Sequence, residues 1–144
     1  KFNNGDLTVL KSKLKAGHID TRTYPGFSTD LQSPTAALLT QAEGTSQIFE
    51  TLFENRFNFL SELNKMGAKI KQNGDYVIEI TGPTPLNGKN IESTDLRAGA
   101  ALVVAGLIAK GKTAINNIDI FERGYEKWDK KLTELGVKIT RLES

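Results

Sequence analysis

Three arginines stand at matching or neighbouring ends of repeated sequence patterns: Arg56, Arg97 and Arg123, each with an acidic residue close by in the chain. A guanidinium is a planar fork of donors that fits carboxylate and phosphate. Three of them converging would form a site for a dianionic or phosphorylated substrate. Their spacing equally allows three separate surface ion pairs, each worth little. Asp30 lies between the Pro25-Gly26 turn and the start of a helix. There it either caps the helix and favours its dipole, or stands at a loop tip as a general base. Asp95, at the corresponding place 65 positions on, carries the same pair of readings.

Other candidates carry less. His18 is the only histidine, and with no His, Cys or acidic partner at metal spacing it reads as structural. Gly111-Lys112-Thr113 looks like the end of a phosphate loop, but the upstream glycine and its spacing are missing. Tyr125 and Trp128 fall on the apolar stripe of a helix and read as core. The absence of cysteine excludes a disulfide framework, a thiolate metal site and a cysteine nucleophile from this stretch. A net charge of +2 argues for neither nucleic acid nor membrane as partner. No apolar run has signal-peptide or membrane-span character, so a cytoplasmic location is expected.

These residues are positioned by a pattern stated twice. Thr29-Asp30-Leu31-Gln32 returns as Thr94-Asp95-Leu96-Arg97, Phe53-Glu54-Asn55-Arg56 returns shortened as Phe121-Glu122-Arg123, and Phe59, Leu63, Met66-Gly67 return as Trp128, Leu132, Leu135-Gly136. Such a repeat implies a supersecondary unit that cannot bury its apolar face alone. Two copies fill the chain, over 18–80 and 86–142, and any further copy lies outside it. The chain opens at Lys1 rather than methionine, as expected of a piece of a longer protein. Each unit reads as strand, helix, strand, helix, strand, strand. In the first, a strand from His18 to Thr23 precedes a helix capped by Ser33 with Pro34 behind it, ending near Glu43. A strand over Gln47–Phe53, a helix bearing Phe59, Leu63 and Met66, and a hairpin around Asn73-Gly74 follow. In the second, Thr94 or Asp95 caps a helix to about Lys110, then come a strand over Thr113–Ile118, a helix over Tyr125–Leu135 and a strand over Val137–Leu142. Ala98 to Ala109 is apolar on every face, which predicts burial all round. The class is therefore α/β of the α+β type, with helices at the centre and sheets outside.

The wording Tyr24-Pro25-Gly26-Phe27-Ser28-Thr29-Asp30-Leu31-Gln32, with Phe53-Glu54-Asn55-Arg56-Phe57, Asp95-Leu96-Arg97-Ala98 and Arg123-Gly124-Tyr125-Glu126, resembles the UDP-N-acetylglucosamine 1-carboxyvinyltransferase family from about Leu14 to Glu143. The resemblance implies the enolpyruvyl-transferase fold, an inside-out prism of two lobes with three units each around central helices. This chain, 1–144, would be part of one lobe. It implies transfer of the enolpyruvyl group of phosphoenolpyruvate to the 3-hydroxyl of UDP-N-acetylglucosamine, with loss of phosphate and no metal or cofactor, in the first committed step of peptidoglycan synthesis. By the same resemblance Asp30 is the base, and Leu52 makes a backbone contact to the nucleotide sugar. Arg56, Arg97 and Arg123 neutralise the phosphate-bearing species, and Asp95 lies among the substrate-binding positions. Ser28 stands where many relatives have proline. The cysteine acid and the remaining phosphoenolpyruvate grip would lie in the missing remainder of the parent chain, leaving this piece inactive alone. The alternatives are a nucleotide-sugar-binding module without chemistry and a purely structural repeat domain.

Overall fold

The computed structural model describes residues 2–142 and opens on a small hairpin, β1 (Phe2–Asn3) and β2 (Asp6–Leu7), turned by Asn4 and Gly5. The repeat then takes physical form as two parallel strand–helix–strand crossovers. In the first, β3 (His18–Asp20) leads through a 3₁₀ turn at Thr29–Leu31 and α1 (Gln32–Leu39) to β4 (Gly44–Phe49), with Ile19 opposite Ile48. A further helix, α2 (Leu60–Lys65), precedes the antiparallel hairpin of β5 (Lys69–Asn73) and β6 (Val77–Gly82). These strands form one sheet in the order β3-β4-β6-β5. In the second crossover, β7 (Asn90–Glu92) leads through α3 (Leu96–Ile108) to β8 (Ala114–Asn116), with Ile91 opposite Ile115. Two short helices follow, α4 (Asp119–Glu122) and α5 (Trp128–Glu134).

Alternation along the strands decides the core. Ser46 and Ile48 of β4, Ile70 of β5, and Ile78 and Ile80 of β6 turn inward, where α1 and α2 cover them. Phe59, Leu63 and Met66 are fully buried against that face. α1 also packs on α3 through Ala36, Ala37, Ala98, Ala101 and Ala105, all buried. Gly67 and Gly136, at φ of 103° and 93°, end the α2 and α5 segments in the left-handed region, so the repeat reaches even the helix stops.

Several expectations change in the structure. Ser28, not Ser33, begins the first helical segment; the Ser33 hydroxyl instead donates to the Arg97 carbonyl at 2.9 Å. α1 ends at Leu39 rather than near Glu43, and the next strand runs Gly44–Phe49 rather than Gln47–Phe53. α3 is not buried all round. It has 13 residues against 8 in α1, about 20 Å against about 12 Å at 1.5 Å per residue, so its end overhangs and leaves Leu107 and Ile108 exposed. Val137–Leu142 forms no strand: its counterpart in the first unit, β5, pairs with β6, and the described residues hold no counterpart of β6; Arg141 is instead tied to Asp129 at 2.7 Å and to Glu122. Tyr125 and Trp128 flank the buried Phe121, with centroids at 4.2 and 5.4 Å, but neither is core: Tyr125 is exposed and Trp128 half-buried. Lys1, Glu143 and Ser144 lie outside the described residues.

Two expected outcomes follow from this packing. A Cβ at Gly82 would sit 2.5 Å from the Thr40 carbonyl oxygen and 2.6 Å from that of Ala42, backbone atoms that cannot yield cheaply. Gly82→Ala should therefore lower stability by about 1–3 kcal/mol, read as a lower urea midpoint at unchanged slope. The second concerns Tyr76, at the start of the β6 arm, whose hydroxyl donates to Glu54 at 2.8 Å. That hydrogen bond to a carboxylate raises the Tyr76 pKa above the ordinary tyrosine value. A group raised in the folded state stabilises it below the unfolded pKa and stops doing so as pH climbs through the folded one. The contact should hold at neutral pH and fail in strong alkali. The difference between ultraviolet titrations of the wild type and Tyr76→Phe should show one tyrosine ionising above the usual range.

Candidate active site

The Asp30 turn is built by short-range capping. Ser28 is extended, and its hydroxyl accepts the Asp30 N–H at 3.3 Å. Asp30 is thus inside the turn and does not cap it, which removes the N-cap reading and leaves the carboxylate facing outward, 68% exposed. Its Oδ1 receives Arg97 Nε at 2.8 Å and lies 3.8 Å from Arg56 Nη1. Its Oδ2 has no partner among the described residues.

Each arginine arrives by a different route. Arg97 sits in the first turn of α3, whose cap is Asp95: its Oδ1 accepts from the N–H groups of Arg97 at 2.8 Å and Ala98 at 3.0 Å. The docking of α1 on α3 closes the distance to Asp30, 67 residues away in sequence. Arg56 comes from the loop after β4, where Asn55 takes a left-handed conformation. Its guanidinium lies 4.3 Å from the Phe53 ring centroid, a cation–π contact that holds it flat, and its side chain is 14% exposed. Arg56 Nη1 is buried without a hydrogen-bond partner among the described residues. Arg123 follows α4 directly and is exposed, with no ion pair among the described residues. The next residue, Gly124, packs on Leu96, which places Arg123 at the same end of α3 as Arg97. The structure therefore joins Asp30, Arg56 and Arg97, sets Arg123 close by without contact to Asp30, and commits one Asp95 oxygen to capping.

Two guanidiniums to one carboxylate leave positive charge over, and a buried unpaired N–H of a cation calls for an anion. The cluster lies on open surface, so it has the character of one wall of a site. Leu52 stands beside it; its N–H donates to Glu50 Oε1 at 3.0 Å, which leaves its carbonyl for any backbone contact to a ligand.

Glu50 escapes the sequence reading. It is fully buried and accepts from Thr21 Oγ1 (2.8 Å), Thr29 Oγ1 (2.7 Å), Gln32 Nε2 (3.1 Å) and the N–H groups of Leu52 and Phe53 (3.0 and 3.3 Å). The signal for it is parity: Ser46, Ile48 and Glu50 share the inward face of β4 and its extension, and a charge in that series stands out. The lesser candidates stay apart from the cluster. His18 pairs with Asp20 at 2.7 Å, and the Gly111 turn runs into β8 rather than a helix, so it is no phosphate loop.

Residues 3–132 match the model of the family described as EPSP synthase (3-phosphoshikimate 1-carboxyvinyltransferase). The chain is 49% identical over 97% of its length to UDP-N-acetylglucosamine 1-carboxyvinyltransferase of Halothermothrix orenii. It is 55% identical over 95% of its length to UDP-N-acetylglucosamine 1-carboxyvinyltransferase 1 of Caldanaerobacter subterraneus subsp. tengcongensis. It spans about a third of the length of these curated relatives, 33% of each. Among solved structures, the enolpyruvyl transferase NikO from Streptomyces tendae superimposes with a TM-score of 0.83 and 33% identity over 91% of this chain and 30% of that one. An EPSP synthase from Acinetobacter baumannii, 20% identical over 60% of this chain and 21% of its own, shares the fold alone, at a TM-score of 0.54. Sequence and fold together place the chain in the EPSP synthase (3-phosphoshikimate 1-carboxyvinyltransferase) family, whose fold is that of the enolpyruvyl transferases.

Proposed function

We propose that this chain supplies the base and an arginine clamp to a UDP-N-acetylglucosamine enolpyruvyl transferase, as part of one lobe whose cleft is completed by the rest of the parent protein. The observation that carries the reading is a free carboxylate oxygen on Asp30 beside a buried Arg56 Nη1 that lies 3.8 Å from Asp30 Oδ1 and makes no hydrogen bond among the described residues. The half-identical relatives favour UDP-N-acetylglucosamine as acceptor. The alternative acceptor within the family is 3-phosphoshikimate, named in the family's description.

In this mechanism Asp30 Oδ2 takes the proton of the sugar 3-hydroxyl while Arg97 holds Oδ1. The hydroxyl oxygen bonds to C2 of phosphoenolpyruvate as C3 gains a proton from an acid outside this chain, by resemblance a cysteine. The tetrahedral adduct then loses its phosphate, and a proton leaves C3 to restore the double bond. Arg56, Arg97 and Arg123 face the negative charge throughout, the first two held in place before it develops. Asp95 keeps one oxygen for the sugar or its water shell, and the Leu52 carbonyl meets the nucleotide sugar. The resulting enolpyruvyl sugar nucleotide enters peptidoglycan synthesis, which supports cell shape and division, and the reaction belongs to the cytoplasm, where nucleotide sugars are made.

The test is phosphate release by the full-length protein with phosphoenolpyruvate and each acceptor in turn. Release should require UDP-N-acetylglucosamine; dependence on 3-phosphoshikimate instead would reassign the acceptor. Asp30→Asn should lower turnover by about 10²-fold with the Tm nearly unmoved, since Ser28 makes the cap. An unchanged rate would remove Asp30 from the chemistry. The present chain alone should release no phosphate, and substrate-dependent release by it would overturn its reading as part of a larger site.

A further inference from the structure

We propose that Glu50 is a positioning residue of this site: a buried carboxylate that holds the Asp30 turn and the Arg56 loop in one mutual geometry. The inference rests on the function proposed above. Glu50 joins segments that are distant in sequence. Oε2 accepts from Thr29, the residue before Asp30, and from Gln32 at the start of α1. Oε1 accepts from Leu52 and Phe53, the latter carrying the ring on which Arg56 lies, and from Thr21 at the end of β3. Thr21 in turn accepts the Thr51 N–H at 2.9 Å, and the Glu50 N–H donates to the Tyr76 carbonyl at 2.7 Å. Every partner of the carboxylate is a donor, and together they join the end of β3, the Asp30 turn, the start of α1 and the loop after β4.

The second unit shows that the crossover does not need this group. Thr21 N–H donates to the Phe49 carbonyl, and Ser93 N–H donates to that of Asn116 in the same way. The residue after Phe49 is Glu50; the residue after Asn116 is Asn117, whose amide reaches Glu92 at the surface. The fold thus closes the same turn without a buried carboxylate where no base stands nearby. Burying a carboxylate is costly unless every lone pair is met. It is met only on the side that bears Asp30, Leu52 and Arg56.

The experiment uses the full-length protein and its turnover. Glu50→Gln replaces one acceptor oxygen with a donor amide facing Thr29 and Gln32, and should lower kcat by about 10²-fold, the scale of a small misplacement of reacting groups. Because that variant can also fail to fold, Thr29→Val decides the case: it cuts only the link to the Asp30 turn. It should lower kcat and kcat/KM together by about 10-fold, and Thr29→Ser, which restores the hydroxyl, should recover most of the loss. In an Asp30→Asn background Thr29→Val should cost less than about 2-fold more, because residues acting as one unit are not additive. Equal losses in both backgrounds, or a loss in kcat that merely follows Tm, would overturn the proposal. An active wild type with unaffected variants would sink this inference alone; a full-length wild type without turnover would sink the functional reading and this inference together.

Discussion

The Asp30 cluster exists because α1 and α3 approach each other closely. Ala36 and Ala37 on one helix meet a face of Ala98, Ala101, Leu102 and Ala105 on the other, all buried. Small side chains let two helices sit at the near end of the usual interaxial range of about 8–10 Å. At that separation the Ser33 hydroxyl reaches the Arg97 carbonyl, and the two helix starts lie side by side. Asp30 and Arg97 belong to those starts. A larger residue at any of these alanines would push the helices apart and carry base and guanidinium with them.

Buried carboxylates then connect what the helices align. Glu50 gathers the loops around Asp30 and Arg56, as described above. Glu62 of α2, also buried, accepts from Lys65 Nζ at 2.6 Å on one oxygen and from the Glu92 N–H of β7 at 3.2 Å on the other, which ties the first unit to the second. In both cases an acidic side chain sits inside because local donors meet its oxygens. Such links are directional, whereas apolar packing alone would let the loops slide.

The repeat and its divergence divide the labour between the units. Both use a parallel crossover around a helix, and both end a later helix on a left-handed glycine. Only the first continues into a hairpin that completes a four-stranded sheet; the second has no such strands among the described residues. The first unit supplies Asp30, the stacked Arg56 and the buried Glu50, and the second supplies Arg97 and Arg123. The site is therefore assembled across the unit boundary, with neither copy holding it alone.

Much of this was legible in the chain itself. The period-two alternation of Ile48, Ile78 and Ile80, the stripe of Phe59, Leu63 and Met66, and the Asn73-Gly74 turn are local signals, and local physics is enough to read them. The wording around Asp30, Arg56 and Arg97 marked the family through a resemblance, and the structure brings those three side chains together. Other features were not local. Asp30 and Ser33 both read as caps in the sequence, and the extended backbone at Ser28 gave that place to Ser28 instead. The overhang of α3 depends on the length of the helix packed against it, and the missing last strand depends on a partner strand like β6, which the second unit lacks among the described residues. Glu50 reads as an ordinary surface acid until residues 21, 29, 32, 52 and 53 close around it. The residue types and their periodicity determined most of the elements, and the chemistry was an expectation from the resemblance alone. The contacts between distant segments decided which carboxylate is free to act and which is held.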